Sequence, residues 1–218
     1  MDDGDLTTHL IYLHGFRSSP ASAKARRLAA WVAAERPDLH WLCPQLPPSP
    51  RAALDLVRAA TAGWPGATGA VVGSSLGGWY ATRLAQERGW RCAVINPAVE
   101  PARDLAAALG EQGCWHDPSS RFEFTRAHLD ELRALGRPAV THPARLLAVI
   151  AQGDELLDWR EMTERYAGCK LRLVAGSDHG LSDFDDHLPA LIDFLALRRQ
   201  SGPCMHSSTT PGSSTPAA

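Results

Sequence analysis

The sequence lacks the long apolar runs and the basic excess that mark membrane-spanning and nucleic-acid-binding proteins. None of its apolar runs approaches the roughly 20 residues that a membrane helix requires. It contains 22 lysines and arginines against 24 aspartates and glutamates, which gives a formal net charge of −2. Because a nucleic-acid-binding surface is normally basic, this balance argues against a nucleic-acid partner. It also gives no electrostatic reason to lie on an anionic membrane.

Paired cysteine spacing and a leader segment are also absent. The five cysteines form no CxxC pair, so the sequence predicts neither a zinc site nor a disulfide framework, and we expect reduced thiols. The amino-terminal segment MDDGDLTTHL is acidic and lacks the basic and apolar regions of a signal peptide. These two features predict a cytoplasmic protein.

Short apolar runs alternate with longer amphipathic segments along the 218 residues, a length that suits one domain. Such alternation is typical of a parallel sheet flanked by helices. We therefore predict an α/β fold with a mostly parallel sheet of about six strands. The predicted strands cover residues 9–13, 39–42, 70–73, 92–95, 146–151 and 171–174, and the predicted helices cover 20–35, 51–62, 76–88, 160–166 and 186–197.

The stretch 97–143 interrupts this alternation. We predict two helices in it, 102–109 and 125–135, joined by a polar, turn-rich piece, and we expect a small helical lid over the ligand crevice. A plain crossover connection is the alternative. The predicted domain is 1–199, and residues 200–218, rich in Ser, Thr, Pro and Gly, are predicted to be a disordered tail.

The most informative motif is Gly73-Ser74-Ser75-Leu76-Gly77, which matches G-x-S-x-G between an apolar strand and a helix-compatible segment. A serine hydroxyl is a weak nucleophile, and a tight strand-to-helix turn presents it to a base. The motif predicts Ser75 as nucleophile, with Ser74 as the alternative, and the backbone N–H of Leu76 as an oxyanion donor. A glycine-serine turn without chemistry is the other interpretation.

Acid and base candidates follow the last two predicted strands, in the chain order of α/β-hydrolases. Asp154 comes one residue after a turn glycine, with Glu155 and Asp158 as alternatives that could equally be surface charges or a helix cap. His179 lies between the last strand and the last helix, in a loop with flanking glycines. We predict Ser75, Asp154 and His179 as nucleophile, acid and base.

The first strand runs into His14-Gly15-Phe16, where an α/β-hydrolase has its second oxyanion donor. The sequence therefore predicts the backbone N–H of Phe16 as this donor, with Gly15 letting the backbone approach the substrate. We expect His14 to buttress the loop through hydrogen bonds, because its early position does not fit the order nucleophile, acid, base.

Several longer motifs resemble the YqiA/YcfP family of small bacterial esterases. They are YLHGFRSSP at 12–20, GSSLGGWYAT at 73–82, NPA at 96–98, GDELLD at 153–158 and Asp178-His179. The resemblance implies an α/β-hydrolase with esterase activity, extending to acyl thioesters, and a triad of Ser75, Asp154 and His179. Gly180-Leu181 stands where the family often has Ala-Phe, which puts the shape of the pocket in doubt.

Together these residues predict a serine esterase that hydrolyses carboxylic esters through an acyl-enzyme on Ser75, with no metal and no cofactor. An acyl-CoA thioesterase with the same triad is the alternative among enzymes, and a non-catalytic ligand-binding scaffold is the alternative outside them. The expected partner is a small-molecule ester or thioester, and the expected state is a monomer or small homo-oligomer.

Overall fold

A parallel sheet forms the centre of the structure, a computed structural model that describes residues 6–198 apart from the side chain of Pro118. The strands, in chain order, are β1 (His9–Leu13), β2 (His40–Leu42), β3 (Gly69–Ser74), β4 (Arg91–Ile95), β5 (Gly110–Cys114), β6 (Asp117–Phe124), β7 (Leu146–Ala151) and β8 (Lys170–Val174). Six of them form one sheet in the order β2-β1-β3-β4-β7-β8, with every neighbouring pair parallel. The predicted parallel sheet is confirmed, and the predicted tail 200–218 lies outside the described residues.

Helices cover both faces of this sheet. They are α1 (Ala23–Glu35), α2 (Pro50–Ala60), α3 (Leu76–Arg88), α4 (Pro101–Asp104), α5 (Arg126–Leu135), α6 (Trp159–Arg165) and α7 (Phe184–Phe194). Side chains alternate along each strand, so that Ile11 packs with α2 and α3 while Leu10 packs with α1 and α7. This two-sided burial explains why the central strands are continuous apolar runs. No helix among residues 6–198 is both long and apolar enough to cross a membrane.

The first helix begins later than the sequence indicated. A helix beginning at residue 20 would have Ser19 as its N-cap, but Ser19 accepts the backbone N–H of Ala21 on its hydroxyl and that of Ser22 on its carbonyl. Residues 19–22 therefore form a turn, and α1 begins at Ala23 with Ser22 at the N-cap. A proline at residue 20 suits such a turn as well as it suits a helix start.

The insertion between β4 and β7 contains a hairpin that the sequence did not indicate. The predicted helix 102–109 is divided into the single turn of α4 and a 3₁₀ turn, Ala106–Ala108. β5 and β6 then pair in antiparallel fashion, with a bulge between Gly113 and Cys114. The second predicted helix, 125–135, is present as α5, with Thr125 as its cap. The insertion is thus mixed rather than purely helical.

The strand order reverses beside β1. The chain passes from β1 to β2 on one side and then returns to place β3, β4, β7 and β8 on the other. Ligand sites of open α/β sheets lie outside the carboxyl ends of the strands at such a switch point. The loops that follow β1 and β3 are therefore the expected location of a ligand site.

Candidate active site

Ser75 lies in a sharp turn between β3 and α3. Its backbone adopts φ 56° and ψ −124°, a region that residues with a side chain rarely occupy. The surrounding backbone maintains this conformation: the N–H of Ser75 donates to the carbonyl of Ile95 at 2.9 Å, and the N–H of Gly78 donates to the carbonyl of Ser75 at 2.9 Å. Strain of this kind persists only where neighbouring contacts oppose its relaxation.

The two glycines of the motif are required by close backbone approach. A Cβ on Gly73 would lie 2.2 Å from the carbonyl oxygen of Gly77. A Cβ on Gly77 would lie 2.0 Å from the carbonyl oxygen of Leu13, at the end of β1. The turn thus brings the start of α3 directly against the loop that follows β1.

His179 bridges Ser75 and Asp154. Its Nε2 is 3.0 Å from the Ser75 Oγ, and its Nδ1 is 2.8 Å from an Asp154 carboxylate oxygen. Asp154 has no exposed side-chain surface, and its other oxygen accepts the N–H groups of Leu156 and Leu157 at 2.9 and 2.8 Å. A carboxylate at Nδ1 favours a proton on that nitrogen, which leaves Nε2 free to accept the hydroxyl proton of Ser75.

The structure separates the three acid candidates by what each contacts. Asp154 contacts the imidazole ring of His179. Glu155 instead accepts the backbone N–H of His179 at 2.9 Å, so it supports the loop rather than the ring. Asp158 is the N-cap of α6 and accepts the N–H of Arg160 at 2.9 Å.

His14 supports the loop after β1, as expected. Its Nε2 accepts the backbone N–H of Leu46 at 3.0 Å, so its Nδ1 carries the proton and donates to the carbonyl of Gly15 at 3.0 Å. Burial lowers the pKa of His14, which favours this neutral form. Both ring nitrogens are therefore engaged in holding the loop.

Two backbone N–H groups lie next to Ser75 without an acceptor among the described residues, those of Phe16 and Leu76. Leu76 is the first residue of α3, where the N–H has no partner within the helix. The loop of Phe16 approaches Ser75 closely, since a Cβ on Gly15 would lie 3.1 Å from the Ser75 Cβ. They are the N–H groups that the sequence predicts as oxyanion donors, and that role stays a prediction.

Asn96, the first residue of the NPA motif, is a structural partner of the site to which the sequence analysis assigned no role. This fully buried residue follows β4, and its amide nitrogen donates to the carbonyls of Asp178 and His179, both at 3.0 Å. Its amide oxygen accepts the N–H of Ala151, at the end of β7, at 2.8 Å. Asn96 therefore fixes the backbone of the histidine loop relative to the sheet.

Two cavities lie on either side of Phe16. The larger, about 680 Å³, is lined by Ser75 and His179 together with Lys24 and the exposed side chains of Trp115 and Leu156. The smaller, about 580 Å³, is walled mainly by apolar side chains: Phe16, Leu46, Pro47, Leu76, Tyr80 and Phe122. Ser75 and His179 line only the larger cavity, and the two cavities share the loop residues 15–18.

The hairpin of the insertion forms one wall of the larger cavity. The N–H of Trp115 donates to the carbonyl of Arg17 at 2.8 Å, and the Nε of Arg17 donates to the carbonyl of Gly113 at 2.9 Å. The Arg17 guanidinium also lies 4.1 Å from the centre of a Trp115 ring. The hairpin is thus attached directly to the loop that carries Phe16.

Residues 6–198 offer no evident metal site. No group of three or more His, Cys, Asp or Glu side chains in that part of the chain is arranged to hold an ion. The side chains of Ser75, His179 and Asp154 are hydrogen-bonded to one another and to the backbone. The geometry thus fits proton transfer between side chains.

Comparison with known proteins gives one family and a consistent fold. The model of a family described as uncharacterised protein family UPF0227 matches residues 9–196. A protein described as a hydrolase from Agrobacterium vitis S4 is 21% identical, with a TM-score of 0.67, over 87% of this chain and 90% of that chain. Mouse alpha/beta hydrolase domain-containing protein 10 is 15% identical, with a TM-score of 0.63, over 87% of this chain and 91% of that chain. An esterase from Pyrococcus furiosus is 17% identical, with a TM-score of 0.54, over 88% of this chain and 82% of that chain. These likenesses confirm the predicted α/β-hydrolase fold.

Proposed function

Because the chain belongs to the uncharacterised protein family UPF0227, the YqiA/YcfP family, and has an α/β-hydrolase fold, we propose that it is a serine esterase. The observation that carries the proposal is the hydrogen-bonded series from the Ser75 Oγ through His179 to the buried carboxylate of Asp154. The proposed substrates are small carboxylic esters that fit the cavity lined by Ser75 and His179. A cytoplasmic location is also proposed, because the four cysteines among the described residues are free thiols.

In the proposed mechanism, His179 Nε2 takes the Ser75 hydroxyl proton while Oγ attacks the ester carbonyl carbon. The N–H groups of Phe16 and Leu76 stabilise the negative charge that forms on the carbonyl oxygen. Asp154 stabilises the imidazolium and keeps the ring oriented. The imidazolium then returns the proton to the leaving alkoxide, and an alcohol departs from the acyl-enzyme.

Water completes the proposed cycle. His179 accepts a proton from the water molecule, whose oxygen attacks the acyl carbon on Ser75, and the same two N–H groups hold the second oxyanion. Collapse of this intermediate returns the proton to the Ser75 Oγ and releases the carboxylic acid. The smaller cavity is lined by both proposed oxyanion donors, Phe16 and Leu76, so we expect the acyl group to extend toward it.

The insertion 97–143 is proposed to cover the site. Gln112, Trp115 and His116 line the cavity that contains Ser75, which supports this role. The hydrogen bonds between the hairpin and Arg17 indicate a cover that is attached to the oxyanion loop rather than a freely moving lid.

The test is active-site labelling with a fluorophosphonate, with parallel assays of p-nitrophenyl butyrate and its thioester counterpart. We expect one adduct on Ser75, with loss of ester hydrolysis in proportion to labelling. Ser75→Ala should lose nearly all turnover, at least about 10³-fold, while the adjacent Ser74→Ala serves as the control and should retain labelling. Folded protein that gains no adduct and hydrolyses no ester would contradict the proposal, and a clear preference for the thioester would identify a thioesterase.

A further inference from the structure

Lys24 brings a cationic group into the cavity that contains Ser75. It is the second residue of α1, half-buried, and lines that cavity together with Ser75 and His179. Its ammonium donates to the carbonyl of Gly180, the residue that follows His179. The mechanism proposed above gives this ammonium no role.

The position of Lys24 beside the histidine loop indicates which part of a substrate it would meet. In ester hydrolysis the base returns its proton to the leaving oxygen, so the leaving group must lie next to His179 Nε2. Lys24 contacts the carbonyl of the next residue along the chain and lines the same cavity as His179, so we assign its ammonium to the leaving-group side of the site.

The ammonium retains unused hydrogen-bonding capacity. Of its three N–H groups, one is directed at Gly180, and the described residues provide no acceptor for the other two. Asp178 and Asp154 are the nearby carboxylates, but one Asp178 oxygen accepts the N–H of Ser182 and both Asp154 oxygens are engaged. Lys24 is therefore near these carboxylates without being hydrogen-bonded to them.

The surroundings of Lys24 also favour an anion. Residues 22–24, where α1 begins, line the cavity, and the first turn of the helix contains no acidic residue. The positive end of the helix dipole therefore adds to the charge of the ammonium. Arg17 lines the same cavity, whereas the one acidic lining residue, Asp104, is paired with Arg103.

We propose that the alcohol or thiol part of the substrate carries a carboxylate or phosphate group, and that Lys24 is the specificity-determining residue that binds it. The proposal rests on the proposed esterase function, since it assigns the leaving-group side from the position of His179. It names a substrate class that the triad alone does not distinguish.

The experiment compares two chromogenic butyryl esters that differ only in charge. One leaving group is a nitrophenol with a carboxylate meta to the phenolic oxygen, and the other is the corresponding neutral carboxamide. We expect the wild-type protein to prefer the carboxylate in kcat/KM by about tenfold or more, because hydrogen bonds to charged groups are strong. Lys24→Met should abolish this preference and leave hydrolysis of the carboxamide within about threefold. Lys24→Arg should restore part of it.

Arg26→Met provides the matched control. It removes one positive charge from an exposed position two residues along the same helix, so it tests whether the preference reflects the net charge of the region. We expect the preference to survive in this variant. If Lys24→Met lowers both esters equally, Lys24 only supports the histidine loop and the proposal is wrong. If neither ester is hydrolysed by a Ser75-dependent route, the esterase function itself has failed.

A second pair of esters distinguishes the two anions. Butyryl hydroquinone phosphate is compared with its neutral methyl ether counterpart, and phenol release is followed by chromatography. A Lys24-dependent preference for either anion supports the proposal, and the larger of the two preferences identifies the physiological class. If the wild-type protein prefers the anionic ester in neither pair, the proposed role of Lys24 is wrong.

The pH dependence of the preference supplies an independent readout. Burial lowers the pKa of Lys24 to about 8, although Asp178 and Asp154 partly oppose this. The pH dependence of kcat/KM reports ionisations of the free enzyme, and an ionisation that affects both esters equally cancels in the ratio of charged to neutral ester. We expect the ratio to be high near neutral pH and to fall as the pH rises through about 8. A ratio that stays constant across this range would contradict a role for Lys24.

Discussion

At the scale of single residues, the candidate site depends on backbone groups that lie unusually close together. Gly77 is the clearest example, because it brings the start of α3 against the end of β1. Both proposed oxyanion donors are adjacent to this contact: Leu76 precedes Gly77, and Phe16 lies three residues after Leu13. The spacing of the two donors is therefore set by the absence of one side chain.

We predict that Gly77→Ala lowers kcat for p-nitrophenyl butyrate by about 10²-fold, the usual cost of losing an oxyanion donor. The new methyl group would lie 2.0 Å from the Leu13 carbonyl oxygen, so the start of α3 must move away from β1. We also expect a loss of about 1–3 kcal/mol in the free energy of unfolding, measured by urea denaturation, because of overpacking.

The same substitution at Gly63 is the control, because a Cβ there would have nothing within 4 Å. Gly63→Ala should change neither kcat nor stability appreciably. If Gly77→Ala retained full kcat, the donors would not depend on this contact.

Residue identities in the site were predictable to different degrees. Ser75, Asp154 and His179 each follow a buried strand, and the structure brings them within hydrogen-bond distance, while their catalytic roles stay a prediction. Asn96 was not predicted as a structural partner. Its bonds join segments 55 to 83 residues apart in the chain, and no local pattern indicates such contacts. Lys24 was missed for a similar reason, because one lysine on an amphipathic helix resembles any solvent-exposed lysine.

At the scale of elements, the β5–β6 hairpin is the largest departure from the sequence prediction. β5 reads GEQGC, which contains two glycines and no β-branched or aromatic residue. Its strand conformation depends on pairing with β6 and on contacts with the loop after β1, where Phe16 packs edge-on against Phe122 and Phe124. Propensity alone could not predict this, because tertiary contacts decide it.

The attachment of the hairpin to the oxyanion loop yields a further prediction. Arg17→Met removes the hydrogen bond to Gly113 and the guanidinium over Trp115, but keeps an unbranched side chain that reaches as far as the arginine Nε. We expect kcat for a neutral ester to fall about tenfold with KM nearly unchanged, because an oxyanion donor acts mainly in the transition state.

Arg133→Met is the matched control, since Arg133 makes a surface pair with Asp130 on α5. It should leave both kinetic constants unaltered. A rise in KM for Arg17→Met without a fall in kcat would show instead that the hairpin acts on substrate binding, as a simple cover would.

At the scale of the whole molecule, one sheet separates two layers of apolar side chains. Strand positions were predicted within about two residues because continuous apolar runs are distinctive when both faces are buried. Helix starts were less accurate, as α1 shows, because several serines can act as the cap. The order of the strands in the sheet was not predicted, because no local motif specifies which strands become neighbours.

Since both layers pack on the same strands, we predict that residues 6–198 unfold as one cooperative unit. Leu54 belongs to the layer of α2 and α3, Leu28 to the layer of α1, and both are fully buried. Leu54→Ala and Leu28→Ala should each lower the free energy of unfolding by about 2–5 kcal/mol.

Each of these variants should also give a single urea transition that far-UV circular dichroism and tryptophan fluorescence report identically. Tryptophans lie on both sides of the sheet: Trp79 and Trp90 pack in the layer of Leu54, and Trp31 and Trp41 pack in the layer of Leu28. Fluorescence therefore reports on both layers. If one substitution separated the two probes into two transitions, the layers would be independent and the sheet would not couple them.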